Sequence, residues 1–151
     1  MIYHKLYVQH KGEETTVGLI GTGHFGIAVI GQSMMQPQLK IRGIADKNPD
    51  AIWNAVEKAG ISKETVALCQ SAEEAAQKWK EGKVIAATDP MILMEVPLDT
   101  IVEATGNPEA GAAFCLSAIE HNKNIVMVNK EVDSCVGPVL KKIAEEKGVV
   151  C

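Results

Sequence analysis

Apolar residues fall along this chain in short continuous runs, separated by stretches in which they recur every three or four positions. The runs have the length and evenness of strands buried on both faces, and the spaced stretches have the period of helices with one buried stripe. Residues 16–20 form the first run, which stops at a glycine-rich turn opening a helix to about Met34. A second run, 39–45, leads to Asp46-Lys47-Asn48-Pro49, where Asn48 or Asp46 can cap a helix and Pro49 can start one. Ile52, Ala55, Val56 and Ala59 give that helix one buried face, and Gly60 stops it. The pattern over 62–82 is mixed: 66–69 can be a strand, and Ser71 with Glu74 makes a capping box for a helix after it.

Residues 83–88 and 100–104 read as further strands. From Pro108 a helix follows, capped by Asn107, with Ala112, Cys115, Leu116 and Ile119 on one face. Residues 125–128 are the next strand. A last helix is expected from near Pro138, burying Val139, Ile143 and Ala144, and residues 149–151 read as a sixth strand cut short. Strands alternating with helices predict an α/β fold built on a parallel sheet of about six strands, doubly wound, with helices on both faces. Residues 1–15 are a polar lead-in with room for a short helix over 3–11, and 16–151 make one domain. Strands of this kind feed into a following unit, so the sequence reads as part of a longer protein.

Composition narrows the class. The chain has 151 residues, 46% hydrophobic and 23% charged, which suits one ordinary globular core. A net charge of -4 without basic blocks, and aromatics at 4%, argue against a nucleic-acid partner. No apolar run approaches the roughly 18 residues needed to span a bilayer, and the start of the chain lacks an apolar signal core. A cytoplasmic location without membrane association is the expectation. Cys69, Cys115, Cys135 and Cys151 are scattered without metal-ligand spacing, so no metal site is expected and they read as buried or incidental thiols.

The chemistry begins at Gly21-Thr22-Gly23-His24-Phe25-Gly26, a G-x-G-x-x-G between a strand and a helix. Gly21 permits the tight turn, Gly23 leaves room for a pyrophosphate, and Gly26 lets helix and strand approach closely. The helix N-terminus adds unpaired N–H groups and partial positive charge. Asp46 stands twenty residues beyond Gly26 at the end of the next strand, where a carboxylate can accept hydrogen bonds from ribose hydroxyls. Together these predict a Rossmann-type site for a nicotinamide dinucleotide, NAD or NADP. The carboxylate opposes a 2′-phosphate, which Lys47 or Arg42 can offset, so dual use stays open. His24 and Phe25 occupy variable turn positions that supply mainly backbone. His4, His10 and His121 read as surface residues.

Two more segments are expected at the same sheet edge. Ala104-Thr105-Gly106-Asn107-Pro108 should face the glycine turn across the point where the strand order reverses, lining the nicotinamide-ribose side. Thr105 and Asn107 are equally well explained as helix caps. Asn129-Lys130-Glu131 leaves the following strand: Lys130 can donate a proton or polarise a carbonyl, and Glu131 can orient it or act as base. A solvated charged loop is the competing account.

Residues 17–26, the Val102-Glu103-Ala104-Thr105-Gly106-Asn107-Pro108 segment, and Val126-Met127-Val128-Asn129-Lys130-Glu131-Val132-Asp133 with Val136-Gly137-Pro138 resemble the N-terminal domain of homoserine-dehydrogenase-like oxidoreductases. The likeness is to the group carrying a SAF domain further along. It implies NAD(P)-dependent hydride transfer with a small hydroxy or carbonyl substrate and a role for Lys130 beside that substrate. Asn129 falls in the same segment on the cofactor side. A substrate and dimerisation domain would follow, making a homo-oligomer possible and leaving the chain alone inactive or slow. Two other accounts remain: a stand-alone dinucleotide-sensing module without catalysis, and an enzyme of another class, a Rossmann-like lyase, or an ancillary domain binding CoA or another nucleotide.

Overall fold

Six apolar segments pair edge to edge: β1 (Thr15–Ile20), β2 (Leu39–Ala45), β3 (Val66–Cys69), β4 (Val84–Ala87), β5 (Thr100–Glu103) and β6 (Asn124–Met127). They form one all-parallel sheet in the order β3-β4-β2-β1-β5-β6 in a computed structural model that describes residues 12–151. The helix expected over 3–11 lies outside the described residues. From β1 the chain moves to β2 on one side and later to β5 on the other, so the strand order reverses at β1.

The helices α1 (His24–Ser33), α2 (Pro49–Lys58), α3 (Ala72–Lys80), α4 (Pro108–Glu120) and α5 (Lys130–Lys147) cover both faces. On one face Ile30 of α1 and Ile52, Ala55 and Val56 of α2 pack on Val17, Leu19, Ile44 and Val102. On the other, α3, α4 and α5 join a short turn, Pro90–Met94, over Ile20, Ile85, Ile101 and Ile125. Alternate residues of each central strand enter opposite layers, and both layers exclude water. This is why those strands read as continuous apolar runs.

Several expectations need correcting. Residues 149–151, expected as a sixth strand, have no strand of their own, although the Ile125 N–H donates to the Val150 carbonyl at 2.7 Å; the sheet reaches six strands with β3, which the mixed pattern over 62–82 allows. Leu116 is on the exposed side of α4, where Cys115, Ala118 and Ile119 are buried. The last helix starts at Lys130, with Pro138 inside it. A proline there forfeits a helical hydrogen bond and costs about 3 kcal/mol. The stripe of Val132, Val136, Leu140 and Ile143, four or three residues apart, offsets that cost by packing the helix on the sheet from its first turn, while Val139 faces solvent.

Candidate functional site

The carboxyl ends of β1, β2 and β5 open onto a cleft of about 340 Å³. Gly21 and Gly23 wall it on one side, Asp46 and Lys47 on another, and Ala104, Thr105 and Asn107 on a third. These expected residues therefore converge, although up to 86 positions separate them in sequence. A wider depression of about 680 Å³ lies at the opposite, amino end of the sheet, lined by Thr16, Lys40 and Val84 among others, away from every motif above.

The glycine turn is built by three different constraints. Gly21 has φ +98°, and a Cβ on it would lie 2.6 Å from the Ala104 carbonyl oxygen. A Cβ on Gly26 would lie 2.1 Å from the Gly21 carbonyl oxygen. Both positions exclude a side chain by the fold itself. Gly23 differs, for its φ is -67° and a Cβ there would meet nothing within 4 Å. Its missing side chain leaves space in the cleft that none of the described residues fills.

Gly23 is also the N-cap of α1, and no side chain caps that helix. By contrast, Asn48, Ser71, Asn107 and Asn129 each accept a first-turn N–H of α2, α3, α4 and α5. The first turn of α1 has no acidic residue either. Its amide groups and the positive end of the helix dipole face the cleft, an arrangement that can receive an anion. His24 and Phe25 begin this helix with exposed side chains, and Gly26 is buried behind them.

Asp46 ties the turn to β2. Its Oδ2 accepts the Thr22 N–H and the Thr22 hydroxyl, each at 2.8 Å, and its Oδ1 accepts the Asn48 N–H at 3.0 Å. Partial burial pushes its carboxyl upward, but the hydrogen bonds from Asn48 and Thr22 and the nearby Lys47 charge outweigh this and hold it below the ordinary aspartate value. Asp46 is thus a fixed, ionised acceptor at the cleft wall. Thr22 is 3% exposed and serves the carboxylate, behind the cleft surface. Arg42 is not available to a phosphate at Asp46: its Nη2 donates to the Trp79 and Lys83 carbonyls at 3.3 and 3.2 Å and its guanidinium stacks 4.1 Å from the Trp79 ring. Lys47 stays exposed beside Asp46.

The loop after β5 is held from within. Glu103 Oε1 accepts the Thr105 N–H at 2.8 Å and its hydroxyl at 2.5 Å, and the Thr105 oxygen accepts the Asn107 N–H at 3.2 Å. Asn107 Oδ1 caps α4 through the Ala110 N–H at 2.9 Å. The side chains of Thr105 and Asn107 are therefore spent on the loop. Gly106, at φ +69°, lets the chain turn between them. Pro90, Ala110 and Phe114 also line the cleft and were not foreseen from sequence. Phe114, four positions after Ala110, was the readable signal.

Asn129, Lys130 and Glu131 sit one strand further out, at the end of β6. They are not a loop: Lys130 and Glu131 are the first helical residues of α5, both exposed, and Asn129 is its buried cap, accepting the Val132 N–H at 3.4 Å. Among the described residues no group of His, Cys, Asp and Glu side chains is arranged to hold a metal ion, and no helix is long and apolar enough to cross a membrane.

A cleft at the strand-order reversal, walled by a glycine turn and an acid on the next strand, lies where doubly wound sheets place their ligand sites. The fold is of the Rossmann type. Solved structures agree: the protein superposes on GenD2 from gentamicin A biosynthesis, in complex with NAD, with TM-score 0.69 at 16% identity over 93% of this chain and 34% of that one. It is similar to a homoserine dehydrogenase from Thiobacillus denitrificans (TM-score 0.63, 21% identity, 91% of this chain and 28% of that one). It also resembles the WlbA dehydrogenase from Bordetella pertussis, in complex with NADH and UDP-GlcNAcA (TM-score 0.63, 17% identity, 91% and 36%). The chain spans about a third of the length of these structures. No family model and no curated protein matches the sequence.

Proposed function

We propose that this chain is the nicotinamide-dinucleotide-binding part of an NAD- or NADP-dependent oxidoreductase resembling homoserine dehydrogenase. The observation that carries the reading is Gly23, a glycine that neither backbone conformation nor packing requires, set at an uncapped helix N-terminus in the cleft. A pyrophosphate approaching that backbone accounts for it. Asp46 receives an adenosine ribose hydroxyl on Oδ1, which keeps one acceptor position beside the Asn48 N–H, and the loop 104–107 flanks the nicotinamide ribose. With Arg42 committed elsewhere, Lys47 alone among the described residues of the cleft opposes the carboxylate's discrimination against a 2′-phosphate, so NAD is the preferred form. The solved neighbours in complex with NAD, NADH and NADP support this cofactor class.

The bound nicotinamide supplies the hydride acceptor or donor. Lys130 and Glu131, exposed at the same sheet edge, exchange the accompanying proton at the oxygen of a small hydroxy or carbonyl substrate, Lys130 at that oxygen and Glu131 orienting it. The substrate is held by a further domain of a longer, cytoplasmic protein, so the 151-residue chain alone binds cofactor and turns over slowly or not at all. Calorimetric titration of the chain with NAD, NADP and their reduced forms, beside an Asp46→Ala variant, tests the reading. Saturable binding with altered preference in the variant supports it; a folded chain that binds none of the four overturns it.

A further inference from the structure

Glu103 ends β5 with 0% exposure, a carboxylate following the apolar Ile101 and Val102. Its Oε1 carries Thr105, and through Thr105 the N–H of Asn107, so one buried oxygen anchors the whole loop beside the glycine turn. Among the described residues its Oε2 has no hydrogen-bond partner. A Cβ on Gly111 would lie 2.9 Å from the Glu103 Cδ and 2.9 Å from the Val132 Cγ2, so the carboxylate is wedged between the first turns of α4 and α5. Asn129, the cap of α5, has a buried Nδ2 that is likewise without a partner. The two segments meet through their backbones: Glu103 pairs in register with Met127, and the Val128 N–H donates to the Glu103 carbonyl at 2.9 Å.

Burying a carboxylate with half of its acceptor capacity unused is expensive, and a loop that only had to turn can be held by an uncharged side chain. We propose that Glu103 is a positioning residue for the nicotinamide half of the cleft, setting the backbone of residues 104–107 against the glycine turn and joining that loop, through the Val128 N–H on its own carbonyl, to the segment that bears Lys130. This rests on the nicotinamide reading above. It separates two halves of one site: Gly23 and Asp46 serve the pyrophosphate and adenosine, and Glu103 serves the end where hydride moves.

The test compares NADH with ADP, which lacks both the nicotinamide ring and its ribose, on the full chain as wild type, Glu103→Gln, Thr105→Val and Thr105→Ser. Circular dichroism melts report folding. Glu103→Gln and Thr105→Val are expected to weaken NADH about tenfold, the loss of one charge-assisted hydrogen bond, and to change the bound nicotinamide's fluorescence maximum. ADP affinity stays within about twofold, and Thr105→Ser, which keeps the hydroxyl, restores NADH binding. Should Glu103→Gln fail to fold, Thr105→Val tests the same link from its other end. Equal losses for NADH and ADP, or no loss in either variant, would overturn the proposal while leaving the cofactor reading intact. A wild-type chain that binds ADP and NADH equally removes the nicotinamide reading and this proposal with it.

Discussion

One oxygen of Asp46, Oδ2, receives both the backbone N–H and the hydroxyl of Thr22, each at 2.8 Å. A residue of the glycine turn and the acid at the end of β2 are thereby a single unit, and the carboxylate that a ribose would meet is oriented before any ligand arrives. Preorganisation of this kind lowers the cost of binding, because the acceptor loses little freedom when its partner comes.

Asp46 also links stability to pH. Its folded carboxyl titrates below the ordinary aspartate value, so it binds its proton less readily than in the unfolded chain. The resulting stabilisation is complete above the unfolded value of about 3.9 and is lost as pH falls through the lower folded value. Urea unfolding of wild type and Asp46→Asn should therefore show a constant stability gap from pH 7 to about 5, narrowing below about pH 4. A gap that widens on acidification contradicts the assignment.

Cofactor preference should follow the same carboxylate. Wild type is expected to bind NAD at least about tenfold more tightly than NADP, and Asp46→Ser to bring the two within about threefold, consistent with removing about 1 kcal/mol or more of charge repulsion. Paired titrations at fixed ionic strength measure the ratio. An unchanged ratio in the variant means that Asp46 does not face the adenosine ribose.

Much of this was legible in the sequence for a physical reason: strands buried on both faces, and glycines forced by close approach, leave a local imprint. The run 16–20, the spacing from Gly26 to Asp46 and the Asn107-Pro108 cap each correspond to what is seen. Three features needed tertiary information. The helix from Lys130 was hidden by Pro138, because only packing of Val132 reveals that the first turn is worth keeping. Arg42 reads locally as one of two cations able to offset the Asp46 charge, and Trp79, 37 positions away, holds its guanidinium out of that role. Glu103 stood in plain view inside the Glu-Ala-Thr-Gly-Asn-Pro segment, yet nothing local said that it is buried.

The thiols should separate by environment. Burial, with the Glu103 and Cys151 charges nearby, pushes Cys115 up to about 12, and Cys69 is also buried and raised. Cys135 is exposed. Maleimide labelling of the native chain at pH 7.5, a condition in which thiolate governs reactivity, should modify Cys135 first. Cys115 and Cys69 should react only after denaturant, as read by peptide mass. Early labelling of Cys115 would show that the α4 face opens in the native state.

Gly26 and Gly23 offer the most direct test of the central claim that the glycine turn is shaped for a ligand as well as for the fold. Gly26→Ala puts a Cβ 2.1 Å from a backbone oxygen and should destabilise by about 1–3 kcal/mol or more. Gly23→Ala meets nothing within 4 Å and, as a change at a cap position, should cost about 1 kcal/mol or less. The measurement is the NADH dissociation constant of folded Gly23→Ala against wild type, with urea stability measured alongside. A near-native fold that has lost NADH affinity by about tenfold or more is the result this account predicts; unchanged NADH affinity in that variant would contradict it.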